Sequence, residues 1–239
     1  MNNLRRTSAF SLIELLVVIA VIAMLLAILM PSLKKAKMIA KQMVSSSNMR
    51  QVGIAIGLYA DDNKGLFPET THTVTSDKSW IYTLGPYLSE VDKVRICPAD
   101  PKGKERLFNN TTSYIVNEYM TTYYMFGTLV SSESFHNLYK LRSVTDAITV
   151  FVAADRWSPT DTNADHAHSR GWFDSAVQDE RWTAIRTDIQ VDRYRTGSSN
   201  EDNTRGTTLF LYGDTRVEPI KAIKIKEMSD NNKNFAKPM

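Results

Sequence analysis

The sequence predicts an α+β fold: a long N-terminal helix whose second half lies against a mainly antiparallel β-sheet. Three observations predict it. An unbroken apolar run opens the chain from Phe10 to Met30. A semi-apolar pattern at three- and four-residue steps follows to about Asp61. Runs of β-branched and aromatic residues appear only beyond that point.

The apolar run, residues 10–30, holds 21 residues. As helix it is about 32 Å long, against a hydrocarbon core of about 30 Å, so this half is expected to span a membrane. Glu14 stands near its head. On insertion scales a carboxylate costs roughly 3 kcal/mol at mid-span and less near the interface, so Glu14 calls for a cationic partner. Pro31 lacks a backbone donor and is expected to kink the helix near the membrane surface.

Residues 31–63 read as an amphipathic continuation. Ile39, Met43, Ser46, Met49, Val52, Ile56 and Tyr59 share one face, and Lys34, Lys35, Lys37, Lys41 and Arg50 sit mostly off it. Gly53 and Gly57 would let the sheet approach closely. Asp61-Asp62-Asn63-Lys64-Gly65 supplies a stop.

Residues 64–225 form the head. Trp80–Leu84 reads as a short helix halted by Gly85-Pro86. Ser113–Met120, Ile148–Ala154 and Thr207–Tyr212 read as strands, with Gly213-Asp214-Thr215 as a turn into a returning strand at Arg216–Glu218. The polar stretch 156–205 reads as a loop-rich insertion. Its Trp157, Trp172 and Trp182 are expected to form a local satellite core, the competing reading being a surface that stacks on glycans or a partner. Residues 226–239 lack an apolar period and read as a mobile tail.

Composition narrows the function classes. The formal charge is +3 over 239 residues, and no Lys/Arg cluster interleaved with aromatics occurs beyond residue 9, so nucleic acid is not an expected partner. With Cys97 as the one cysteine, no internal disulfide can form. There is no Gly-x-Ser-x-Gly elbow and no phosphate loop.

Three readings compete for the N-terminus. A secretory signal peptide would use Arg5 and Arg6, but its apolar region would be shorter, about 7–15 residues, and Pro31-Ser32-Leu33-Lys34-Lys35 offers no cleavage site. An uncleaved anchor fits the length and leaves Glu14 unexplained. The stretch Arg5-Arg6-Thr7-Ser8-Ala9 before Phe10-Ser11-Leu12-Ile13-Glu14-Leu15-Leu16 resembles the prepilin-type cleavage and methylation signature of type IV pilins and type II secretion pseudopilins. The resemblance implies residues 1–9 as leader, a cut between Ala9 and Phe10 by a prepilin peptidase, and N-methylation of Phe10. It further implies that Glu14 pairs with the Phe10 amine of a neighbouring subunit, which fixes axial register. Ala9 departs from the glycine usual before the cut. Loss of the leader removes Arg5 and Arg6 and lowers the charge by two, to +1. Charges flanking the span do not set its orientation. The resemblance implies a cytoplasmic N-terminus, a single pass through the inner membrane and a head outside it.

Later blocks resemble a narrower group of planctomycete and verrucomicrobial type. These are Asn48-Met49-Arg50-Gln51-Val52-Gly53, Tyr59–Gly65 with Pro68, Cys97-Pro98-Ala99-Asp100, Ser113-Tyr114 with Asn117, and Val144-Thr145-Asp146. That group often carries a cysteine where this chain has Ser45. It often ends in His, nine residues, then Asp-Gly. Here Thr204 stands at the histidine position and Thr215 at the glycine position, so the motif is degraded.

Two clusters invite a metal. His166-Ala167-His168 after Asp165 places two rings on one face of a strand, a zinc- or copper-type pair. Two ligands do not make a site, and a solvated loop is the expectation. Asn200-Glu201-Asp202-Asn203 offers hard oxygens for calcium, as in the late loop of major pseudopilins, but lacks calcium-loop spacing, and a polar turn is expected. The expected function is a non-enzymatic filament subunit of a type II secretion or type IV pilus apparatus, with the peptidase and other pilin subunits as partners and no cofactor. The alternatives are an anchored adhesin or glycan-binding module, and a tethered hydrolase working from 156–205.

Overall fold

The structure, a computed structural model, describes residues 12–121, 124–125, 128–129, 135–141, 146–161 and 164–238. In chain order the described elements begin with helices α1 (Leu12–Asp62), α2 (Trp80–Thr83), α3 (Val91–Val94) and α4 (Gly103–Phe108). Strands β1 (Tyr114–Asn117), β2 (Tyr124–Met125) and β3 (Thr128–Leu129) follow, then α5 (Leu138–Leu141), β4 (Ile148–Val152) and β5 (His166–Ala167). The chain continues through α6 (Gln178–Asp188), β6 (Thr207–Tyr212), β7 (Val217–Lys221) and α7 (Ala222–Asp230). The architecture is α+β and pilin-like: one long helix on a five-stranded sheet of order β5-β1-β4-β6-β7. All its pairings are antiparallel except β1 with β5, and β2 and β3 form a separate hairpin.

Helix α1 runs 51 residues, about 77 Å, with Pro31 inside it and no interruption there. Only its C-terminal third docks. Met49, Val52, Ala55, Ile56 and Ala60 are buried, whereas Ile39 and Met43, expected on the same face, are exposed. The sheet reaches only the last turns, so a correct periodicity overestimates how much of the face is covered. At Gly53 a Cβ would stand 2.9 Å from Leu211 Cδ1 and 3.4 Å from Thr215, so glycine permits the close crossing of β6. The helix stops through a left-handed Lys64 (φ 57°), which lets Gly65 N–H reach back to the Ala60 carbonyl at 2.7 Å.

Strands β1, β4 and β6 carry apolar residues on both faces and are buried throughout, apart from Thr207 at the start of β6. The β6–β7 hairpin turns through a bond from Thr215 N–H to the Tyr212 carbonyl, after which Thr215 takes φ 70°. That is the left-handed position of a bulged hairpin, normally filled by glycine. Thr215 thus adopts a conformation that β-branched residues rarely do.

Two expectations need correction. Within the expected tail, residues 226–238 are ordered against the head. Helix α7 packs on α6, where Arg181 Nε donates to the Ser229 carbonyl at 3.1 Å. Phe235 then closes an aromatic core, 5.7 Å from Trp172 and 5.8 Å from Phe210 between ring centroids. The segment is pinned by Asn117 Nδ2, which donates to the Ala236 carbonyl at 2.7 Å. Between its loops, the stretch 156–205 contributes β5 and the 11-residue α6. Trp172 and Trp182 belong to the main core rather than to a satellite, and Trp157 packs against its margin.

Buried cations stitch the region before β1. Arg106 and Asp100 form a fully buried pair (Nε to Oδ2, 2.9 Å), and Ser113 Oγ donates to the same oxygen at 2.7 Å. Arg95 donates to the Arg106 and Leu107 carbonyls at the end of α4, where a cation offsets the helix dipole. Between α1 and the head lies a buried polar cluster. Ser45 Oγ is 2.6 Å from Tyr114 Oη and 3.4 Å from Cys97 Sγ, which is itself 3.4 Å from Tyr194 Oη. Cys97 is a free, buried thiol.

Candidate functional site

Two features stand out, at opposite ends of the molecule's chemistry. The first is the undocked part of α1. Every large apolar side chain from Leu12 to Leu33 is 46–79 % exposed. Burying each would be worth roughly 1.5–3 kcal/mol, so this surface is built for an apolar environment or for other helices, not for water. Within the described residues α1 is the helix long and apolar enough to cross a membrane. Glu14 and Pro31 both lie on this exposed stretch, inside the helix. The leader, Ala9 and Phe10 lie outside the described residues, as do Val144 and Val144's neighbour Thr145.

The second feature is a cluster of three histidines. Strand β5 pairs in parallel with β1, setting His166 opposite Val116. His168 emerges one residue past the strand end. The turn after Pro68 brings His72 over the same edge, with centroid separations of 4.1 Å to His166 and 6.3 Å to His168; those two lie 5.0 Å apart. One ligand nitrogen from each ring lies within 4.8 Å of the other two. His166 is buried, while His72 and His168 are open to solvent on one side.

Asp165 builds this arrangement. Its Oδ1 accepts from His166 Nδ1 at 2.7 Å and from Thr71 Oγ1 at 2.8 Å, and its Oδ2 accepts from Thr71 N–H at 3.1 Å. One carboxylate thus orients the His166 ring and anchors the residue before His72. Trp80 Nε1 donates to the Asp165 carbonyl at 2.8 Å, fixing the same segment from α2. On the other flank buried Asp188 accepts at Oδ2 from His168 N–H (2.8 Å) and Trp172 Nε1 (2.7 Å). Its Oδ1 faces His168 Nδ1 at 3.5 Å. Trp157 stacks on the His168 ring at 5.9 Å.

The electrostatics of the three rings differ. Burial first, then the neighbouring His166 and His168, lowers the His72 pKa to about 4. The Asp188 carboxylate raises that of His168 against the opposing effect of burial. Glu118, buried close by, is raised by desolvation, although the Arg170 N–H at 3.1 Å and the imidazoles pull it back. His166 Nε2 is buried and has no hydrogen-bond partner among the described residues. Buried ring nitrogens are rarely left so, because desolvation without a partner costs about 1–3 kcal/mol.

The sequence found His166 and His168 but placed them in a solvated loop; the structure puts His166 in the sheet. His72 was missed, since Thr71-His72-Thr73 carries no ligand spacing and only the turn brings it to β5. Glu201 and Asp202, the calcium candidates, join no group of three potential ligands among the described residues. Both are exposed, and their backbone carbonyls already accept from Arg186 Nη1 (2.9 Å) and Trp182 Nε1 (3.0 Å).

Residues 4–30 match the family model described as a prokaryotic N-terminal methylation motif. No curated protein and no solved structure shows a significant match to the chain. From residue 12 on the match covers the exposed apolar start of α1, so motif and structure single out the same segment. It fits inner-membrane anchoring and a structural subunit rather than an enzyme. The chain thus carries the N-terminal methylation motif of type IV pilin-like proteins and pseudopilins on an α+β, pilin-like architecture.

Proposed function

We propose that this protein is a pilin-like or pseudopilin subunit, cut before Phe10 by a prepilin peptidase, N-methylated there, and assembled through α1 into a filament of a type II secretion or type IV pilus apparatus. One observation carries the reading: a single continuous helix has an apolar, wholly exposed first half under the methylation motif and a C-terminal third docked into the head. The first half stores the subunit in the membrane and then packs against other subunits. Glu14, costly in hydrocarbon, pairs with the Phe10 amine of a neighbour, which neutralises both charges and sets register. The N-terminus is cytoplasmic and the head lies across the inner membrane.

The test is intact-mass and N-terminal peptide mass spectrometry of native protein, beside a Glu14→Ala variant. A terminus at Phe10 with one added methyl, and loss of assembly on Glu14→Ala, is the expected result. An intact Met1, or a cut beyond Pro31, overturns it. Normal surface display of Glu14→Ala without any filament points instead to an anchored adhesin.

A further inference from the structure

We propose that His72, His166 and His168 form a binding site for one divalent transition-metal ion of the zinc class. The donor set is three imidazoles, a composition suited to zinc, and two of the three rings are open to solvent.

Three independent features support it. The first is convergence: residues 94 positions apart are brought to one point, and the contact that brings them there, Thr71 to Asp165, adjoins two of the ligands. The second is the orphaned His166 Nε2. Asp165 fixes Nδ1 as the donor, so in the neutral ring Nε2 carries a lone pair that is buried and has no hydrogen-bond partner among the described residues. The third is the outer shell. His166 and His168 each set Nδ1 against a buried carboxylate, the arrangement that orients metal-bound imidazoles and strengthens their basicity.

Geometry permits closure. Ligand nitrogens around a tetrahedral zinc at about 2.05 Å lie about 3.3 Å apart. The present spread of up to 4.8 Å needs a shift of the order of 1 Å. His72 and His168, the two partly exposed rings, can supply it while His166 stays fixed in the sheet. The ion's charge would also face the buried carboxylates of Asp165, Asp188 and Glu118. Bound there, it would tie the turn after Pro68 to the β5 edge. Nothing in this depends on whether the subunit polymerises.

The experiment uses the untagged full chain in detergent micelles, stripped of metal. Zinc chloride is titrated in competition with a chromophoric chelator, and cobalt is added separately as a spectroscopic probe. The variants are His72→Gln and His168→Gln, whose rings are exposed enough to keep the fold, as circular dichroism would verify. Expected are one zinc per chain, visible absorption of a four-coordinate cobalt site, and at least ~10-fold weaker binding in each variant. Absence of zinc competition by the parent chain overturns the proposal. So does undiminished binding in both variants, which would put the ion elsewhere.

Discussion

Replacing Ser45 by cysteine should create a disulfide between α1 and the head. Ser45 Oγ lies 3.4 Å from Cys97 Sγ, and both side chains are buried, so a thiol at position 45 meets its partner with little movement. The bridge would close a loop of 52 residues. The chain-entropy relation assigns such a loop about 4 kcal/mol. Against this stands the lost Ser45–Tyr114 hydrogen bond of 2.6 Å, and a buried Tyr114 hydroxyl left wanting costs about 1–3 kcal/mol. Oxidised Ser45→Cys should therefore exceed the parent by roughly 1–3 kcal/mol, while its reduced form falls below it. For a chain of this size 1 kcal/mol moves the midpoint by about 2–4 °C. The oxidised and reduced forms should then differ by about 8–16 °C. The assay is thermal unfolding of the full chain in micelles with and without reductant, with thiol titration of native and denatured samples. The parent should show one thiol, reactive only when denatured. Two titratable thiols in oxidised Ser45→Cys, or an oxidised midpoint no higher than the reduced one, would refute the reasoning.

Thr215→Gly should stabilise by about 1 kcal/mol, since relief of a left-handed β-branched residue outweighs the entropy glycine loses; chemical denaturation midpoints measure it. Asp100→Asn should cost about 3–5 kcal/mol by stranding the buried Arg106 guanidinium, and adding Arg106→Met should restore much of that in a double-mutant cycle. An additive cycle would show that the two are not coupled. His136 has its pKa raised: burial pushes it down, but the Glu69 carboxylate at 3.3 Å and the Met120 carbonyl at 2.9 Å prevail. A raised folded-state pKa stabilises fully below the unfolded value near 6.5 and loses that contribution as pH rises through the folded value. The gap in unfolding free energy between the parent and His136→Gln, read from urea unfolding, should thus be widest below pH 6.5 and shrink as pH rises through the raised folded-state value. A gap independent of pH would count against the Glu69 contact.

Local patterns made much of the protein legible. Length and apolarity alone give the spanning half of α1, because a bilayer imposes them residue by residue. The strand Thr207–Tyr212 and its returning partner follow from β-branched and aromatic runs around a turn. Helix α6 escaped because Gln178–Asp188 has few apolar residues; Trp182 and Ile185 anchor it while Arg181 is buried through hydrogen bonds that no hydropathy pattern reveals. The closing segment escaped for a similar reason. Phe235 stands alone among polar residues, and its place is set by Trp172 and Phe210 rather than by any period of its own.

What the sequence by itself determined is local: the methylation motif at residues 4–30 and the apolar run that opens α1. What only the tertiary structure decided is the chemistry that needs distant segments in one place. His72 gains significance only when Asp165 draws its turn to β5, and Ser45 only when α1 docks beside Cys97. Spacing along the chain encodes the first kind because helices and strands repeat at fixed periods. It is silent on the second because loop closure carries no period.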